Sequence, residues 1–303
     1  MTIDFKGRVA IVTGAGGGLG RQHALALAAR GAKVLVNDFG GARDGSGGSV
    51  SAAEAVAAEI SAAGGEAIAN AASVTDFAAV QAMVQQAMTA WGRVYILVNN
   101  AGILRDKTFA KMELADFELV LNVHLMGAVH CSKAVWPIMS AQKCGRILMT
   151  TSSTGLFGNF GQSNYGAAKM ALVGLMQTLA LEGAKNDIRV NCLAPTAATR
   201  MTEDLMPQTV LDALKPEAVV PAMLVLVSQD APTRTILCAG AGSFEAAHIT
   251  LTKGVWIGMD ALAPERLAEQ LAQVADRSGD SVPQSGAAQG NLEIGKATQN
   301  LAH

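Results

Sequence analysis

The stretch Val9-Ala10-Ile11-Val12-Thr13-Gly14-Ala15-Gly16-Gly17-Gly18-Leu19-Gly20 decides the fold. Its first five residues are apolar or β-branched and predict a strand over Val9–Thr13. Glycines interrupt that strand, and the Ala/Leu-rich run after them predicts a helix over Leu19–Arg30. Glycine lets a backbone come close to a phosphate, and a helix amino terminus offers it free N–H groups and a partial positive charge. The spacing is T-G-x-x-x-G-x-G, through Gly14, Gly18 and Gly20; the commoner G-x-G-x-x-G is not met, because Leu19 stands where its third glycine belongs. A tight strand-to-helix turn with no ligand can look the same, so the turn needs support from its neighbours.

Outward from that turn, short β-branched runs alternate with longer Ala/Leu-rich ones. Strands are expected at Val9–Thr13, Lys33–Asn37, Glu66–Ala69, Val94–Val98, Gly145–Thr151, Ile188–Leu193 and Thr235–Ala239. Helices are expected at Leu19–Arg30, Ala52–Ala63, Asp76–Trp91, Asp116–Gln142 and Tyr165–Lys185. Ser51 and Glu54 have the spacing of a capping box, and Pro137 should kink or shorten its helix. Strands apolar throughout require cover on both faces, so the alternation predicts an α/β chain: a single-domain Rossmann-like, doubly wound parallel sheet of about seven strands with helices on both faces. That domain is expected over residues 1–260. Residues 261–303 read as a C-terminal helix followed by a mobile tail from Ser278, rich in Ser, Gly, Gln and Asn. Gly40 to Ser49 is a polar loop.

Composition limits the function. In 303 residues, 50% hydrophobic and 16% charged, disorder is excluded for most of the length, and no apolar stretch approaches the roughly 18 residues that span a bilayer. A net charge of −2 with no dense basic run disfavours nucleic acid and gives no membrane-binding patch. Cys131, Cys144, Cys192 and Cys238 form no metal-binding pattern, so no metal is expected; they read as buried free thiols in a reducing compartment. With no secretory signal in the first residues, the expected location is cytoplasmic.

The chemistry lies in residues predicted at the carboxyl ends of strands, where an open parallel sheet binds its ligands. Asp38 ends the second strand; a carboxylate there accepts hydrogen bonds from adenosine ribose hydroxyls and repels a 2′-phosphate, which predicts NAD rather than NADP. The alternative for Asp38 is an ordinary turn aspartate. Asn99-Asn100-Ala101-Gly102 follows the fourth strand. Tyr165 and Lys169 are four residues apart on one predicted helix face, so the ammonium can favour a phenolate that serves as a base. Ser152, at the end of the fifth strand, can hydrogen-bond a substrate oxygen. An isolated Y-x-x-x-K pair is usually a solvated helix face; the combination of turn, acid and Ser/Tyr/Lys set argues otherwise.

Together these motifs resemble the short-chain dehydrogenases/reductases from about Lys6 to Gly258. Val36–Gly41, Asn99–Asp106 and Gly158–Lys169 are similar to the dehydrogenase modules of multifunctional enzymes that oxidise (3R)-hydroxyacyl-CoA and hydroxysteroids with NAD. The resemblance implies Tyr165 as acid/base, Ser152 as the polariser of the carbonyl or alcohol, and Lys169 as pKa-lowering cation and ribose ligand. It implies Gly14, Gly18, Leu19 and Gly20 as the cofactor turn, Asn100, Ala101 and Gly102 beside it, Asn99 as support of the adenosine pocket, and Pro195 and Thr199 as the loop that holds the nicotinamide carboxamide.

Three departures from the family follow. His124 stands where an asparagine usually holds a relay water; an imidazole can also relay a proton, with a pKa nearer neutrality. Alternatively it is packed in its helix. Ser73 replaces an adenine-binding aspartate, which leaves the backbone of Val74 to read the base. The stretch Ile236–Gly258 is irregular against the family's last strand.

Arg105, Lys107 and Arg200 are conceivable contacts for acyl-CoA phosphates, and Met201, Leu205 and Met206 for a lid. The helix from Tyr165 is small or apolar around most of its circumference, more than one sheet can cover, so a homodimer or homotetramer is expected. The substrate is a small molecule, an acyl-CoA or a steroid, and a hydratase, if one is needed, is expected as a separate protein. A cofactor-binding scaffold without turnover is the rival reading.

Overall fold

The computed structural model describes residues 2–41, 44–198 and 208–301. Thr199, Arg200, Met201, Leu205 and Met206 lie outside the described residues. The chain falls into two compact units, Met1–Ala246 and Ala247–His303.

In the first unit the strands are β1 (Val9–Thr13), β2 (Lys33–Asn37), β3 (Glu66–Asn70), β4 (Ile96–Asn99), β5 (Gly145–Thr150), β6 (Ile188–Pro195), β7 (Ile236–Gly240) and β8 (Ser243–Ala247). They form one sheet in the order β3-β2-β1-β4-β5-β6-β7-β8. All pairs from β3 to β7 are parallel, with Val9 opposite Lys33, Ala10 opposite Ile96, and Ile96 opposite Arg146. Every residue of β1, β4 and β5 is buried, as the unbroken apolar runs require. Full burial of a side chain such as Ile11, Leu35, Leu97 or Leu148 contributes roughly 1.5–3 kcal/mol each, before ordering costs.

Among the described residues the sheet has eight strands, close to the seven or so expected. The two residues between β7 and β8 can join only antiparallel neighbours. β8 escaped the sequence reading because four of its five residues are exposed, so it carries no apolar run.

The helices α1 (Gly18–Ala29), α2 (Ser51–Ala62), α3 (Phe77–Trp91), α4 (Leu114–Leu121), α5 (Gly127–Gln142), α6 (Ser153–Phe157), α7 (Ser163–Gly183), α8 (Gln208–Ala213) and α9 (Val220–Leu226) complete the unit. The Asp76 carboxylate caps α3 by accepting from the amides of Ala78 and Ala79, and Gly92 ends that helix in the left-handed conformation. The expected capping box at α2 does not form. Val50 occupies the cap position in helical conformation and Ser51 is already inside the first turn, where its amide donates to the Ser49 hydroxyl. Pro137 lies within α5 without ending it. The irregularity in the long helical stretch is instead a π turn at Asn122–Met126, between α4 and α5.

In the second unit, Leu251 and Ser281 form an isolated antiparallel bridge, and α10 (Ala263–Glu269), α11 (Leu271–Val274) and α12 (Ala287–Leu301) are helical. α12 falls where composition led us to expect no element.

Candidate active site

Strand order reverses between β1 and β4, because β2 and β3 extend the sheet one way and β5 onward the other. Such a switch point opens a crevice at the carboxyl edge. Thr13, the last residue of β1, bridges that crevice: its hydroxyl donates to the Val98 carbonyl and accepts from the amides of Asn100 and Ala101 at 3.0 and 3.1 Å. The Asn100 amide group donates to the carbonyls of Thr13 and Gly14. The glycine turn is therefore laid directly on Asn100-Ala101-Gly102. A Cβ on Gly14 would stand 2.7 Å from the Ala101 Cα, and one on Gly20 would strike the Gly14 carbonyl oxygen.

These contacts test whether a dinucleotide fits. No side chain caps α1 at Gly17, so the first-turn amides, which have no intrahelical partner, are left for an anion. Asp38 accepts from the Gly16 amide at 2.8 Å and from the Gly40 amide at 2.7 Å, which fixes its carboxylate beside the turn. Ser73 is bonded to Thr75, and the Val74 carbonyl pairs with His130 Nδ1 at 2.9 Å. Pro195 ends β6 at the same edge. The residues present fit a dinucleotide.

On the other side of the crevice, Ser152 caps α6, Tyr165 lies in the first turn of α7, and Lys169 follows one turn later. The Ser152 hydroxyl lies near enough to that of Tyr165 to draw its pKa down. Lys169 Nζ lies 5.4 Å from the centre of the Tyr165 ring and donates to the Thr150 carbonyl at 2.6 Å. The Thr151 hydroxyl donates to the Lys169 carbonyl at 2.6 Å, which ties the helix to the strand end. α6 and α7 approach so closely that a Cβ on Gly155 would stand 2.7 Å from the Lys169 Cβ. The structure thus brings Ser152, Tyr165 and Lys169 together.

Their electrostatics differ from the expectation. Burial raises the Tyr165 hydroxyl above its ordinary value; the Ser152 hydrogen bond pulls it down and the charge of Asp106 pushes it up. Burial also lowers Lys169 to about 7. The lysine is therefore not a permanent cation here, and without cofactor the phenol is favoured over the phenolate.

His124 also departs from what was expected. The π turn carries it into the interior, where its ring meets that of Tyr165 edge-on at 5.2 Å and its Nε2 pairs with the Ile103 backbone. Burial pushes it to about 3, with the charge of Lys169 adding to the effect, so at neutral pH it is an uncharged imidazole. His124 Nδ1 and Asn99 Oδ1 are buried without a partner among the described residues, and both residues line a cavity of ≈ 10 Å³ with Lys169. That is about the room one water needs. Asn99 donates to Ser132 and the Met149 sulfur.

Arg105 is already engaged: it pairs with Asp116 at 2.9 Å and donates to the Asp44 carbonyl at 2.8 Å. Lys107 lies 3.8 Å from Asp116. The sequence reading assigned no role to Thr13, Thr151 or Asn164. Thr13 and Thr151 are each the residue just before a motif, at a strand end, and that position was the available signal.

Residues 8–209 match the family model of the short chain dehydrogenases, and the chain belongs to that family. It is an oxidoreductase of that class. Peroxisomal multifunctional enzyme A of Dictyostelium discoideum is 48% identical over 286 residues, covering 94% of this chain and 64% of its own. The structure of full-length peroxisomal multifunctional enzyme type 2 from Drosophila melanogaster superposes with a TM-score of 0.82 at 35% identity, over 99% of this chain and 51% of that one. A 7α-hydroxysteroid dehydrogenase, in complex with NADH and 7-oxo glycochenodeoxycholic acid, superposes with a TM-score of 0.72 at 30% identity, over 79% and 95% of the two chains. The chain thus spans 64% of the Dictyostelium relative and about half of the Drosophila one.

Proposed function

We propose that this chain is an NAD-dependent dehydrogenase that oxidises the secondary alcohol of a (3R)-hydroxyacyl-CoA to the ketone. The observation that carries this reading is the Tyr165 ring held between the Ser152 hydroxyl and Lys169 Nζ, at the sheet edge that carries the glycine turn. Bound NAD supplies the acceptor for the hydride on the carbinol carbon. Ser152 holds the substrate oxygen, Tyr165 takes the hydroxyl proton onto its own oxygen, and Lys169 binds a ribose hydroxyl and, when charged, stabilises the phenolate. Gly14, Gly18, Leu19 and Gly20 would receive the pyrophosphate, Asp38 the adenosine ribose and Val74 the adenine, with Asn100, Ala101 and Gly102 beside the turn; Pro195, with Thr199 outside the described residues, would serve the carboxamide. His124 acts as a relay partner: its uncharged ring and the Asn99 side chain line, with Lys169, the small cavity in which one water can pass a proton to or from the lysine.

The acyl-CoA assignment draws on the relatives named peroxisomal multifunctional enzymes and hydratase-dehydrogenase-epimerases. A hydratase acting on an enoyl thioester would supply this alcohol. A hydroxysteroid is the second reading, favoured by the likeness to the 7α-hydroxysteroid dehydrogenase. α7 leaves Ala167, Met170, Gly174 and Leu181 exposed, which supports pairing of two copies through this helix. We place the protein in the cytoplasm, where a reducing milieu suits four free cysteines. No helix among the described residues is long and apolar enough to cross a membrane. Nucleotide reduction measured with (3R)- and (3S)-hydroxyacyl-CoA and a hydroxysteroid, each with NAD and NADP, tests the assignment. The (3R) thioester with NAD should be fastest; a faster steroid favours the second reading, and no turnover of any alcohol removes both.

A further inference from the structure

Asn164, immediately before Tyr165, is fully buried, and the function described so far gives it nothing to do. Its side chain has two partners. The amide nitrogen donates to the Arg105 carbonyl at 2.9 Å, and the amide oxygen accepts from the Tyr165 backbone N–H at 2.7 Å. Tyr165 lies in the first turn of α7, where backbone amides have no intrahelical acceptor and helices fray. Asn164 therefore supplies the missing acceptor and at the same time fastens that turn to the segment after β4.

The anchor at the other end is itself fixed. Arg105 spans Asp116 and the Asp44 carbonyl, and the adjoining residues are latched to the same helix entrance. Asp106 accepts from the Gln162 side chain at 2.7 Å, and Lys107 forms an isolated parallel bridge with Gln162. A side chain with no exposed surface, both of whose polar ends join two elements next to a reacting group, is suited to holding geometry rather than to touching substrate.

We propose that Asn164 is a positioning residue for Tyr165, holding the first turn of α7 against the Arg105 backbone so that the tyrosine oxygen stays within reach of Ser152 and the substrate. This rests on the acid/base reading of Tyr165. Without Asn164 the turn loosens and the half-buried ring leaves its place against His124. Turnover then falls although nothing that binds nucleotide has changed.

The full-length chain with Asn164→Ala and Asn164→Asp is the test; the aspartate keeps the acceptor for Tyr165 and loses the donor to Arg105. With a (3R)-hydroxyacyl-CoA and NAD, both variants should lose kcat by roughly ten- to a hundred-fold with the NAD KM unchanged. If the alanine variant does not fold, the aspartate variant decides on the same terms. A second readout needs no substrate. The chain has two tyrosines, so in a Tyr95→Phe background the ultraviolet titration of tyrosinate reports Tyr165 alone. Since burial is what raises its hydroxyl, release of the ring in Asn164→Ala should move the midpoint downward, opposite to the loss of rate.

Wild-type kcat with an unmoved midpoint overturns the proposal. So does a rise in NAD KM matching the fall in kcat, which marks general collapse of the site. Tyr165→Phe run alongside separates the two failures: undiminished turnover there removes the acid/base reading, whereas an inactive Tyr165→Phe beside a fully active Asn164 variant removes only the role of Asn164.

Discussion

Tyr165 and Lys169 sit in tension: the same burial that excludes water from the site penalises the charge each would carry in the proposed roles of base and cation. Oxidation needs the phenolate, and burial disfavours it. The rate of alcohol oxidation should therefore climb as pH rises above neutrality, while the reverse reduction, which needs the phenol, holds up at neutral pH; initial rates in both directions across that range check this, and parallel profiles would contradict it. At the other end of the site, Asp38 is pinned by two backbone amides, so its removal leaves the turn without an acceptor and would leave the proposed ribose site without its carboxylate. A charge-assisted bond of this kind contributes about 1.5–3 kcal/mol, and Asp38→Ala should weaken NAD by roughly ten- to a hundred-fold and erode the preference over NADP. An unchanged NAD/NADP ratio by titration calorimetry would sink the specificity assignment. The placement of Ser152, Tyr165 and Lys169 near one another, and of Asp38 beside the glycine turn, was legible because each is a residue type tied to a strand end or a helix repeat. Asn164 was not: its value lies in a contact across 59 positions of sequence, and nothing local marks it.

Among the elements, the first βα turn was the most legible, since a β-branched run, glycines and an Ala/Leu stretch agree at every position. β1 and β2 match their expected bounds residue for residue. Elements whose residues face water at an edge, such as β8, or whose backbone departs by one residue from the regular period, such as the π turn at Asn122–Met126, leave no periodic trace. The capping box failed for a related reason, because a box is a spacing and the chain entered α2 earlier than the spacing assumed. The turn is also where a small change has a large effect. Gly20→Ala places a methyl group against the Gly14 carbonyl and 2.6 Å from the Asn100 side chain. Backbone cannot yield as a flexible side chain can, so the variant should be less stable by about 1–3 kcal/mol and bind NADH at least ten-fold more weakly. Wild-type affinity by fluorescence titration would show that the turn does not hold the nucleotide.

For the whole molecule, the interior that builds the site also sets its acid limit. His23 is fully buried in α1, both ring nitrogens without a partner among the described residues, and burial lowers it to about 4 from 6.5. Between those values the unfolded chain binds a proton that the folded chain refuses, so stability falls as pH drops through 6.5 and levels off only below about 4. From pH 7 to pH 5 this group alone removes about 2 kcal/mol, and His124 acts in the same direction. Urea unfolding of His23→Leu at both pH values should show a smaller loss on acidification than the wild type; equal losses would contradict the assignment. A switch-point crevice and one proposed proton acceptor at its rim must act together, and the turnover of Tyr165→Phe measures that link most directly. With a (3R)-hydroxyacyl-CoA and NAD, kcat should fall by roughly a hundred-fold or more while the NAD dissociation constant stays at the wild-type value. Wild-type turnover in that variant would contradict the mechanism outright.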